Sequence, residues 1–171
     1  MNIKGKFAIA ALCSGLSVGA VAEPQTGDML LTLAGSGASN KDFEANVFNL
    51  SFDYGKFMSP ESVVGVRQSV GIADTGDDNN WNAATRIFYD YHFGTTQWRP
   101  FVGANIGGVY GDGIEETGFA GPEAGVKYFV KDDTFVQLQA EYQFFFDSSD
   151  EAQDNFDDGS FVYSLGMGIT F

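Results

Sequence analysis

From residue 29 to the end of the chain, large apolar residues recur at every second position in eight stretches, separated by polar or glycine-rich intervals. A period of two marks a strand whose faces differ in chemistry. The last stretch, residues 161–171, is the clearest. Phe161, Tyr163, Leu165, Met167, Ile169 and Phe171 alternate with Val162, Ser164, Gly166, Gly168 and Thr170. A strand with one greasy face that ends on an aromatic residue fits lipid better than water.

The other seven stretches are residues 29–35, 45–54, 63–72, 82–93, 100–110, 119–130 and 135–144. Each has an apolar set, such as Phe48, Leu50, Phe52 and Tyr54, or Val136, Leu138, Ala140, Tyr142 and Phe144. Gln68 breaks the apolar face of the third, and Pro122 in the sixth predicts a bulge or a less constrained strand end. The opposite set carries Arg67, Arg86, Asp90, Glu123, Lys127, Gln137, Gln139 and Glu141. Those are too many charges for the dry core of a soluble sandwich. With the charged face inside and lipid outside, the pattern predicts an all-β fold: an eight-stranded antiparallel up-and-down transmembrane β-barrel.

The intervals alternate in character. Residues 55–61, 94–99 and 131–133 read as turns; 36–42, 73–80, 111–117 and 147–159 read as longer polar loops. An even strand number then places both termini and the turns on the periplasmic side. Aromatics at strand ends predict two interface belts: Tyr54, Tyr91, Phe93, Trp98, Tyr128 and Phe171 inside, and Trp81, Tyr110, Phe119, Phe144 and Phe161 outside.

The N-terminus adds the route. Lys4 and Lys6, an apolar run over residues 7–18 and Ala20-Val21-Ala22 predict a signal peptide over residues 1–22, cleaved before Glu23, and hence Sec export. A dozen apolar residues are too few to span a bilayer. The barrel domain is then residues 23–171, 149 of the 171 residues, with the single Cys13 removed. It retains seven basic residues against 23 acids, a net charge of −16, which excludes ordinary nucleic-acid binding. With no domain expected after Phe171, a peptidoglycan tether is not expected.

The closing residues Tyr163, Leu165, Met167, Ile169 and Phe171 resemble the C-terminal signal read by the barrel-assembly machinery of Gram-negative bacteria. The segments RPFVGANIG at 99–107 and GPEAGVKYF at 121–129 resemble those of the small outer-membrane β-barrel superfamily, which includes OmpX, OmpW, the opacity proteins and the OmpA membrane domain. The resemblance covers residues 23–171. It implies a monomer in the cell outer membrane, in contact with lipid and lipopolysaccharide and handled during biogenesis by periplasmic chaperones and the assembly machinery. It is uninformative about activity, because this fold serves many roles.

Three places could carry chemistry. In the lumen, Arg67, Arg86, Glu123 and Glu141 fall at similar depths, with Lys127, Asp90 and His92 lower. This predicts a self-neutralising polar network that plugs the barrel or, alternatively, lines a small gated ion path. In the loops, 13 of the 23 acids cluster against Lys41 alone. Asp74, Asp77 and Asp78, and Asp154, Asp157 and Asp158, offer hard oxygen ligands for Ca²⁺ or Mg²⁺, though without EF-hand spacing; solvated acidic loops are the plainer reading. For catalysis, His92 is the one histidine, and no Ser-His-acid arrangement can be placed at the outer leaflet. The sequence therefore predicts a non-enzymatic barrel with a structural or envelope-integrity role, or surface interaction through acidic loops. A low-conductance, porin-like channel for small cations or solutes is the alternative, and a lipid A-modifying enzyme a remote one.

Overall fold

A computed structural model describes residues 23–39, 46–74, 79–94, 97–112, 116–146 and 160–171. The expected signal peptide lies outside these residues. Eight strands follow in order: β1 (Met29–Ser39), β2 (Asn46–Phe57), β3 (Ser62–Asp74), β4 (Asn79–His92), β5 (Trp98–Gly111), β6 (Thr117–Phe129), β7 (Thr134–Phe146) and β8 (Ser160–Thr170). Each pairs antiparallel with the next, and β8 pairs with β1 from Leu30↔Thr170 to Gly35↔Leu165, so the sheet closes on itself. No open edge remains among these strands, which satisfies their backbone groups without water.

Following register partners once around the barrel returns to β1 about ten residues further along, the stagger of strands tilted by roughly 40°. At that tilt, strands of 11–14 residues span about 30 Å, enough to cross the hydrocarbon of an outer membrane. Large apolar side chains project outward and stay exposed from Leu33 on β1 to Leu165, Met167 and Ile169 on β8. A belt of this extent exceeds what a water-soluble monomer presents.

Every strand outlasts its expected span at one or both ends. β1 runs to Ser39, β2 continues to Phe57, and β5 starts at Trp98. Pro122 makes no bulge. The β6–β7 ladder skips Gly121 and Pro122 and resumes at Glu123↔Glu141 in unchanged register, while Pro122 still lies opposite Ala104 of β5. Proline lacks the N–H for the β7 side, so pairs are lost without a residue being inserted. Phe119 is also not part of the outer aromatic belt. It shares the parity of Glu123 and is buried inside the barrel.

Candidate functional site

The lumen has three levels. At the end that carries the short turns, the floor is aromatic: Phe57, Val63, Phe88, Phe129, Phe135 and Leu30 form one buried cluster. Inward parity places them there, on the same faces as Asp53, Arg67, Asp90, Lys127 and Gln137. Lys127 lies just above, its Nζ 3.9 Å from the centre of the Phe101 ring, 2.8 Å from His92 Nε2 and 3.7 Å from Asp90. Lys127 donates to Nε2, so the His92 proton sits on Nδ1, which donates to the Glu61 carbonyl at 3.1 Å. Both ring nitrogens are thus engaged at a closed end of the barrel.

At mid-depth Arg67 reaches across the barrel from β3. Its Nε donates to Asp53 at 2.9 Å, Nη1 to Glu123 at 2.9 Å, and Nη2 to Gln139 at 3.3 Å; Glu141 lies 3.5 Å from Nη1. Arg86 on β4 binds Glu141 at 2.7 Å and the Ser69 hydroxyl at 2.8 Å. Asn105 donates to Glu123 at 2.6 Å. All these charged groups are buried, and each cation bonds across strands to carboxylates that would otherwise be stranded.

The six lumen residues singled out by sequence therefore meet in two connected groups: Arg67, Arg86, Glu123 and Glu141 in the middle, Asp90 and Lys127 below. Arg99 is a further member that the sequence pattern does not show, because it falls in residues 94–99, which read as a turn. The earlier start of β5 turns it inward, where Nη2 donates to the Pro60 carbonyl at 2.7 Å while Nε and Nη1 have no partner. Among the described residues, Arg99 brings the buried cations to four, against four buried acids, Asp53, Asp90, Glu123 and Glu141.

The other sequence-predicted residues are scattered. Tyr163, Leu165, Met167, Ile169 and Phe171 all point outward and are exposed. Asp74 ends β3 opposite Asn79, with only its backbone described. Asp77, Asp78, Asp154, Asp157 and Asp158 lie outside the described residues. Gln68, the polar residue on the lipid-facing side, closes a ring with its neighbours: Thr85 donates to its Oε1 at 2.6 Å, its Nε2 donates to Tyr110 at 3.2 Å, and the Tyr110 and Thr85 hydroxyls meet at 3.1 Å. Mutual satisfaction explains how three polar groups face lipid together.

No protein-family model matches the chain, and no curated protein does. Solved structures match it over nearly their whole length. The N-terminal β-barrel domain of Pseudomonas aeruginosa OprF is 19% identical, with 86% of this chain and 99% of that one covered and a TM-score of 0.56. Neisserial surface protein A is 14% identical, with 85% and 97% covered and a TM-score of 0.64. OprG from Pseudomonas aeruginosa is 10% identical, with 88% and 99% covered and a TM-score of 0.59. At such identities the likeness is one of architecture. The chain has the fold of the small eight-stranded outer-membrane β-barrels.

Proposed function

We propose that this protein is a monomeric outer-membrane barrel with a closed, structural lumen, serving envelope integrity or surface interaction through its acidic loops. The observation that carries the reading is the packed interior: Arg67 ties Asp53, Glu123 and Glu141 across the barrel, above a floor of phenylalanines. Such a core is a plug held by its own charges. The outward apolar belt supports residence in lipid, in contact with lipopolysaccharide, and the exposed residues from Tyr163 to Phe171 suit recognition by the barrel-assembly machinery after Sec export. Divalent cations at the loop acids fit the same reading, by charge alone.

A second reading is a low-conductance path for small cations or solutes. One observation favours it: Glu141 is shared by Arg67 and Arg86, so a swap of partners would shift the plug. Catalysis has no comparable support, because His92 is held between Lys127 and the Glu61 carbonyl. The loop role is tested by complementing a deletion strain under envelope stress. A variant with Asp147, Asp150, Glu151, Asp154, Asp157 and Asp158 changed to their amides is expected to reach the outer membrane and fail to restore growth. Full restoration would remove the loops from the function.

A further inference from the structure

The half of the lumen toward the long loops is built differently from the half below. Above the level of Arg67, the inward residues of β2, β3 and β4 are small or carry amides: Asn49, Ser69, Gly71 and Asn82. Across the barrel, β6 and β7 present Phe119 and Phe145, whose rings lie 6.0 Å apart. An inward side chain in a closed barrel meets solvent only through the lumen. Asn49, Ser69, Asn82, Gln143 and Phe145 are all half-buried, so this space is open, whereas Arg67, Glu123, Gln139 and Glu141 beneath it are buried. Gly71 makes the polar wall possible, since the Asn49 and Asn82 carboxamides both occupy the place a Cβ there would need.

Arg86 forms the base of this space. Its guanidinium lies 5.6 Å from the centre of the Phe119 ring, Nη1 and Nη2 are taken by Glu141 and Ser69, and Nε is buried with no partner. This unpartnered donor, buried beneath an aromatic wall and an amide wall, keeps the floor of the space polar.

We propose that the outer half of the lumen is a blind cup that binds one small, uncharged, hydroxyl-rich molecule, the size of a single sugar ring. Its chemistry follows from the walls. The apolar C–H face of such a ring packs on the half-buried Phe145, which Phe119 backs, and its hydroxyls meet Asn49, Asn82 and Ser69, whose side chains reach the open space. An uncharged ligand fits because the charges beneath are already paired: Arg67 and Arg86 are engaged by Asp53, Glu123 and Glu141, which leaves amides, a hydroxyl and an aromatic ring to meet it. The cup from Arg86 to Asn82 is about 10 Å deep at this strand tilt, room for one ring and not for a chain of them.

The test is calorimetric titration of the purified barrel in lipid nanodiscs with glucose, N-acetylglucosamine, glucuronate, glucosamine and maltotriose. At least one of the two neutral monosaccharides is expected to bind saturably in the millimolar range, and the charged sugars at least fivefold more weakly. The Asn49→Leu/Asn82→Leu variant should lower the affinity at least tenfold. If that variant fails to fold, Asn82→Ala, which only removes atoms, is expected to lower it at least threefold. No saturable binding of either neutral sugar, unchanged affinity in folded variants, or tighter binding of maltotriose would overturn the proposal. The readout is independent of conductance and of the loop phenotype, so it fails or succeeds separately from the role proposed above.

Discussion

Replacing Arg67 with methionine removes the charge while keeping most of the side-chain volume. Three carboxylates touch the guanidinium, and they lose unequal amounts. Glu141 keeps Arg86 at 2.7 Å, and Glu123 keeps Asn105 at 2.6 Å, but Asp53 is left buried with no other hydrogen-bond partner described. Breaking a buried pair on one side costs about 3–5 kcal/mol, and the surviving partners of Glu123 and Glu141 point to the lower end, about 3 kcal/mol. The assay is reversible urea unfolding in phospholipid vesicles, with Lys56→Met, an exposed position, as the control expected within about 0.5 kcal/mol of wild type. Adding Asp53→Asn and Glu123→Gln to Arg67→Met should recover at least half of the loss, since neutral amides cost less to leave buried. A loss below about 1 kcal/mol for Arg67→Met, or no recovery in the triple variant, would refute the view that the network is tightly coupled and dry.

Arg99 is equally buried but has one bond and two unpartnered nitrogens, so Arg99→Met is expected to be neutral within about 1 kcal/mol or stabilising in the same unfolding assay. On the lipid face, Leu165→Arg near mid-depth should cost about 2–4 kcal/mol and Phe171→Arg at the strand end about 0–1, a depth dependence that a soluble barrel would not give. Gly121→Ala should lower stability by more than about 2 kcal/mol, because the added Cβ would overlap the Tyr142 carbonyl on β7; a neutral result would mean the β6–β7 gap is looser than described. Gln68→Leu removes the centre of the outward polar ring and leaves the Thr85 and Tyr110 hydroxyls to each other, so its unfolding free energy should stay within about 1 kcal/mol of wild type.

Alternation alone located eight strands and the face each residue takes, because a lipid-facing barrel allows only one parity to be charged. Counting along those strands also set Arg67, Arg86, Glu123 and Glu141 at one depth, where they bond. Strand ends were not legible. Toward the loops both faces are polar or small, as in Ser36 to Ser39 of β1, so nothing alternates there. The same blurring hides Arg99, which reads as the end of a turn, and Phe119, which as an aromatic near a strand end reads as a belt residue. Parity was the available signal: Phe119 lies two and four residues from Gly121 and Glu123, both inward. The aromatic floor is legible in the same way, since Phe129 and Phe135 alternate in step with Lys127 and Gln137. The loop acids had no such signal, because a run of Asp is compatible with a metal site and with a solvated surface alike.

The central claim is that the barrel is closed by its own side chains, and ion flow tests it most directly. Purified protein reconstituted in planar bilayers is predicted to be silent under applied voltage. Reproducible single-channel steps from the wild-type barrel, abolished by a disulfide that locks β3 to β6, would contradict a closed lumen.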